Sequence, residues 1–193
     1  MGSAYGYAMT TALHADAEIA SQPQIWRQVA DFAPSVFGKL PQKGERVAVV
    51  GCGSSWFMSM AYASLREAAG HGDGPIDIVH SAFAIHHLSD SEKHTLLESL
   101  RSRIAPGGLF IWVDVFREAG ESRDAYVQRY LQRIAAGWPQ LSPEQRDHVS
   151  QHLAAYDNPA ERSEIEAAAE AAGWHWRWAW THRAEAMAVL TPA

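Results

Sequence analysis

The sequence predicts a single α/β domain of Rossmann-like, three-layer architecture, with about five strands, mostly parallel, and an antiparallel hairpin at the carboxyl terminus. Three observations carry this. Short β-branched runs, Val47–Val50 and Leu109–Val115, alternate with segments of helical period. A glycine turn, Gly51-Cys-Gly-Ser-Ser55, joins the first such run directly to a helix-forming stretch. Trp174, Trp176, Trp178 and Trp180 recur every second residue and are followed by a second apolar run, Glu185–Thr191, able to return beside them. Strands alternating with helices give a parallel sheet with right-handed crossovers.

Along the chain, Ile19, Trp26, Val29, Ala30 and Ala33 have the spacing of an amphipathic helix over about 23–33, with Pro23 near its first turn. Pro34, Gly38, Pro41 and Gly44 punctuate a loop, and Arg46–Val50 is the first strand. Trp56–Ala69, rich in Ala, Met and Leu, is predicted helical and is closed by Gly70. The breaker cluster Gly70–Pro75 precedes a second strand, Ile76–Phe83. Ser89 and Glu92 have capping-box spacing ahead of Leu96, Leu97, Leu100 and Ile104, which predicts a helix over 90–104 ended by Pro106-Gly-Gly108. Leu109–Val115 is the third strand. Helices are expected over 121–136, 143–155 and 160–172, separated by Gly137-Trp-Pro139 and Asp157-Asn-Pro159 and closed by Gly173. The period of two places all four indoles, 174 to 180, on one face of the fourth strand, covering a helix or a subunit contact.

Composition narrows the function classes. A length of 193 residues suits one domain, and the lone Cys52 rules out an intramolecular disulfide and points to a reducing, cytoplasmic setting. The net charge of −6, with basic residues dispersed, predicts no nucleic-acid partner. The apolar runs are strand-sized, so neither a membrane span nor a signal peptide is expected. The opening Met-Gly-Ser is set aside as an expression remnant. Monomer and homodimer are both compatible with the pattern.

Several residues have the chemistry of a site. Gly51, Gly53, Ser54 and Ser55 offer backbone N–H groups and hydroxyls at a helix start, a setting for a small anion; a tight turn needing small residues is the plainer reading. His86 and His87 follow the carboxyl end of the second strand, but no third ligand stands at helical spacing and no partner carboxylate is evident, so no metal is expected. Asp114 ends the third strand, where acids of α/β enzymes act. Cys52 is read as packing under the turn rather than as a nucleophile.

Two resemblances attach to different halves. Glu18–Pro23, Gly44–Phe57 and Ala61–Glu67 together resemble the start of a sugar isomerase (SIS) domain over residues 13–74. That resemblance implies a phosphosugar ligand, with its first phosphate-contacting turn at Gly53, Ser54 and Ser55; the second serine- and glycine-rich loop of that family has no counterpart after residue 74. Asp77–Leu88, with Asp90, Lys93, Leu97 and Ala105–Ile111, resembles the second half of a class I S-adenosylmethionine-dependent methyltransferase over residues 75–193. It implies a second strand lying beside the first, a further strand after Pro106–Gly108, a terminal hairpin closing the sheet, and a cofactor or substrate loop carrying Phe83, His86, His87 and Asp114. Val49 replaces that family's acidic residue at the first strand, and Ser55 the last glycine of its cofactor turn. The halves together imply a recombined α/β hybrid with no catalytic residues and no cofactor. The alternatives are a methyltransferase with a degenerate S-adenosylmethionine site and a phosphosugar-binding SIS-like module.

Overall fold

A computed structural model describes residues 44–50 and 74–193, together with residues 21, 23–25, 27–35, 38, 41 and 42. The chain divides into two units, Met1–Lys43 and Gly44–Ala193. In the first, residues 27–35 are helical, so the helix runs through Pro34 rather than stopping before it, and the Ser35 hydroxyl donates to the Phe32 carbonyl at 2.7 Å. The helix expected over 56–69 and residues 70–73 of the breaker cluster Gly70–Pro75 lie outside the described residues.

The second unit is a five-stranded mixed sheet with helices, an α/β fold of the Rossmann-like kind. Its strands are β1 (Val47–Val50), β2 (Ile76–Ala82), β3 (Ile104–Val115), β4 (Trp174–His182) and β5 (Glu185–Pro192), in the spatial order β1-β2-β3-β5-β4. The first three strands are parallel, and β5 runs antiparallel between β3 and β4. Arg46 and Asp77 pin the start of the β1/β2 pair: the Arg46 N–H donates to the Asp77 carboxylate at 2.7 Å and its guanidinium lies 3.4 Å away.

Among the described residues of this unit four helices accompany the sheet: α1 (Asp90–Arg101), α2 (Arg123–Gly137), α3 (Pro143–Tyr156) and α4 (Arg162–Ala171). Each begins where a side chain satisfies orphan amides. Ser89 and Glu92 form the capping box of α1; Ser142 and Gln145 form another on α3, with Pro143 at the first position. Ser122 caps α2, and the Glu161 carboxylate accepts from the Ser163 and Glu164 amides to start α4. Gly173, at φ 84°, takes the left-handed turn that leads α4 into β4.

Two strands differ from expectation. Pro106–Gly108 does not precede the third strand; β3 starts at Ile104, and its register against β2 shifts between Ile76 and Ile78, where Ile104 and Leu109 are the successive partners. The irregular backbone there absorbs the proline, which has no N–H to give a ladder. The four indoles also do not share a face. Trp178 pairs with Ala188 and Trp180 with Met187, so Ala179 is an extra residue that reverses the alternation. Trp174 is buried and donates to the Leu97 carbonyl of α1 at 3.0 Å, and Trp178 donates to Glu166 of α4 at 3.0 Å, whereas Trp180 is 50% exposed.

The main core lies under the face of the sheet carrying Val79, Phe110, Trp112, Ala188 and Leu190, against Leu97 of α1 and Ile165 and Ala169 of α4. The alternation that buries Phe110 and Trp112 puts Asp114, the next residue in that stripe, on the same buried face at the carboxyl end of β3.

Candidate functional site

The carboxyl ends of β2 and β3 meet a short 3-10 turn, Ile85–His87, and the segment that follows α3. Phe83 makes the exit from β2 in the left-handed region, at φ 49°, donating its N–H to the Val113 carbonyl at 2.9 Å and leaving its ring 49% exposed. A non-glycine residue with that backbone is held by its surroundings, as such residues at functional turns are.

Asp114 organises the turn. Its carboxylate accepts from the amides of Ile85 (3.0 Å), His86 (3.1 Å) and Val115 (2.9 Å) and from the Trp112 indole (3.0 Å), and lies 2.5 Å from Nδ1 of His86. Five groups converge on this one buried carboxylate and fix the imidazole ring with Nδ1 toward it. Nε2 of His86 then points to Asp157, 3.8 Å from Oδ1, and Nδ1 of His87 is also 3.8 Å from that oxygen. Burial pulls the His86 pKa down, but the hydrogen bond and charge of Asp114, with the charge of Asp157, outweigh it and hold His86 above the ordinary imidazole value. His87 also places Nδ1 3.2 Å from the Tyr156 carbonyl. Its ring stacks obliquely on His86, with centroids 4.0 Å apart.

Asp157 reaches this cluster because three cations hold the chain around it. Lys93, fully buried, donates to the Leu88 carbonyl at 2.5 Å, the Asn158 carbonyl at 2.6 Å and the Asp90 carboxylate at 3.1 Å. Burial lowers the Lys93 pKa, and Asp90 and Asp114 counter it in part. Arg123 donates to the carbonyls of Asp157 (2.8 Å) and Ala154 (2.6 Å), and Arg117 to that of Pro159 (2.8 Å). Asn158 closes the clamp by donating its amide to His86 O at 2.7 Å and its side chain to Leu88 O at 3.0 Å. A pocket of about 350 Å³ opens beside the pair, lined by His87, His152, Ala155 and Tyr156.

The expected loop residues Phe83, His86, His87 and Asp114 therefore sit at one end of the sheet, and Asp114 and His86 are in direct contact. The expectation that the histidines lack a partner carboxylate is corrected: Asp114 stands 28 residues beyond His86 in sequence and Asp157 further still, so neither shows as a local spacing. In the sequence Asp157 stands only as part of a helix separator, the Asp157-Asn-Pro159 stop that ends α3. Gly51, Cys52, Gly53, Ser54 and Ser55 lie outside the described residues. The Ser81 hydroxyl, buried near the carboxyl end of β2 beside Val50 of β1, has no hydrogen-bond partner among the described residues.

No protein-family model matches the chain, and no curated protein matches it. Solved structures do. The mitomycin 7-O-methyltransferase MmcR is similar at 12% identity and TM-score 0.48, over 80% of this chain and 51% of MmcR, so the chain spans about half of that protein's length. The DhpI-SAM-HEP complex is similar at 16% identity and TM-score 0.46, over 99% of this chain and 100% of DhpI. CalO1, a methyltransferase of calicheamicin biosynthesis in its SAH-bound form, is similar at 18% identity and TM-score 0.48, over 98% of this chain and 62% of CalO1. Two of these three, MmcR and CalO1, are named methyltransferases. Against the expectation of no cofactor stand two of these structures, DhpI seen with SAM and CalO1 with SAH.

Proposed function

We propose that the chain is an S-adenosylmethionine-dependent methyltransferase acting on a small molecule. The observation that carries the reading is the strand order β1-β2-β3-β5-β4, with the last strand inserted antiparallel between β3 and β4. This is the arrangement the methyltransferase resemblance of residues 75–193 implies, with the second strand beside the first and a hairpin closing the sheet. Open α/β sheets bind ligands outside the carboxyl ends of their strands.

The described residues fit such a donor in that crevice. The Ser81 hydroxyl is buried there with no hydrogen-bond partner among the described residues, and the Phe83 ring stands half-exposed at the rim. Ser81 would meet a polar group of the donor and Phe83 an apolar face. The donor supplies an electrophilic methyl carbon on a sulfonium. The chain supplies position: Asp114 fixes the turn 85–87, Lys93 and Asn158 fix the segment after α3, and the pocket at His87, His152 and Tyr156 receives the acceptor beside the strand ends.

S-adenosylhomocysteine at about 100 times its Kd is expected to stabilise the native chain by ~2.7 kcal/mol, read as a rise in Tm. An unchanged Tm at millimolar concentration contradicts the reading.

A further inference from the structure

We propose that His86, His87 and Asp157 form a binding site for a divalent first-row transition ion, with Nε2 of His86, Nδ1 of His87 and Oδ1 of Asp157 as ligands and a further position open toward the pocket at His152 and Tyr156. The inference does not rest on the methyltransferase reading.

Three features point to an ion rather than to an ordinary polar cluster. The first is the donor set. Two imidazoles and one carboxylate suit zinc and its neighbours, and the ligating atoms all lie within 4.8 Å of one another. Metal–ligand bonds of ~2.0 Å set tetrahedral edges of about 3.3 Å. Each imidazole nitrogen is now 3.8 Å from Asp157 Oδ1, so small side-chain rotations close the site.

The second is the support behind the first ligand. Metal-bound histidines carry a carboxylate or carbonyl on their other ring nitrogen, which fixes the tautomer and raises basicity. His86 has that partner at 2.5 Å in Asp114, and Asp114 is itself fixed by three amides and an indole. Nε2 is thereby aimed at Asp157 and His87 before any ion arrives.

The third is Asp157 itself. Its side chain is only 8% exposed, yet its carboxylate has no hydrogen bond among the described residues; the two imidazoles at 3.8 Å are what face it. The neighbouring cations spend their donors on backbone carbonyls, Arg123 on Asp157 O and Lys93 on Asn158 O. On binding, His87 Nδ1 exchanges its hydrogen bond to the Tyr156 carbonyl for the ion, and the ion ties the turn 85–87 to the segment after α3.

The test is calorimetric titration of the full-length, chelator-treated chain with zinc chloride, repeated on His87→Ala, Asp157→Asn and the exposed-histidine control His94→Ala. The wild type and His94→Ala are expected to bind one equivalent. His87→Ala and Asp157→Asn are expected to bind it more weakly than the ~10–100-fold loss that follows removal of an outer-shell partner. Far-UV circular dichroism of His87→Ala, a substitution at a partly exposed ring, controls for folding. Cobalt(II) loading gives a second readout: intense visible bands of four- or five-coordinate cobalt are expected in the wild type and absent from His87→Ala. A wild type that takes up no zinc, a folded His87→Ala that binds as tightly as wild type, or a cobalt spectrum identical to that of the aqueous ion overturns the site.

Discussion

Nδ1 of His86 lies 2.5 Å from Oδ1 of Asp114, and the amide of the same histidine donates to the other oxygen of that carboxylate at 3.1 Å. One acid thus sets both the backbone turn after β2 and the orientation of the ring that the turn presents.

Replacing Asp114 by alanine is expected to destabilise the fold by roughly 3–5 kcal/mol, because it strands a buried imidazole, an indole N–H and three amides together. Urea unfolding measures it. A loss below about 1 kcal/mol would mean that these donors find other partners.

Lys93→Met removes the donor to the Asn158 carbonyl while the Leu88 carbonyl keeps the Asn158 side chain. The expected cost is roughly 1–3 kcal/mol, with faster hydrogen exchange at the Asn158 amide, which bonds to His86 O. Unchanged exchange there would show that Lys93 does not hold the segment.

Glu185 is forked by Arg133 through two guanidinium nitrogens, which holds its carboxyl below the ordinary range despite partial burial. A carboxyl whose folded pKa is depressed contributes stability that is fully present above its unfolded value of about 4.3 and is lost as pH falls through the lower folded value. Glu185→Gln is therefore expected to flatten the acid limb of the stability–pH curve and to leave its neutral plateau lower. Parallel acid limbs in the two proteins would contradict this.

Gly173 adopts φ 84°, so Gly173→Ala is expected to cost about 1 kcal/mol by forcing a Cβ into the left-handed region. Thermal unfolding reads it, and an unchanged Tm would show that the turn relaxes.

What was legible in the sequence was local. The spacing of Ser89 and Glu92 marks the start of α1, the separators Gly137-Trp-Pro139 and Asp157-Asn-Pro159 bracket α3, Gly173 marks the turn into β4, and the β-branched runs the strands. The end of α1 was placed late because Ile104 continues the helical period, yet it is the first residue of β3, paired with Ile76 across the sheet. Ala179 shows the same limit: nothing in an alternating run of tryptophans marks the one residue that bulges and turns Trp180 outward. In the site, Phe83, His86, His87 and Asp114 stood at strand ends and could be picked out by position. Asp157 could not, since it arrives through hydrogen bonds from Lys93, Arg117 and Arg123 to carbonyl groups, contacts between distant segments that leave no pattern in composition or period.

The most direct test of the methyltransferase reading is a backbone-amide NMR titration of the folded chain with S-adenosylhomocysteine, with glucosamine 6-phosphate as the parallel arm. The account predicts saturable shifts at Val50, Ser81 and Phe83 with the first ligand and none with the second. A dispersed spectrum that S-adenosylhomocysteine leaves unmoved would contradict it.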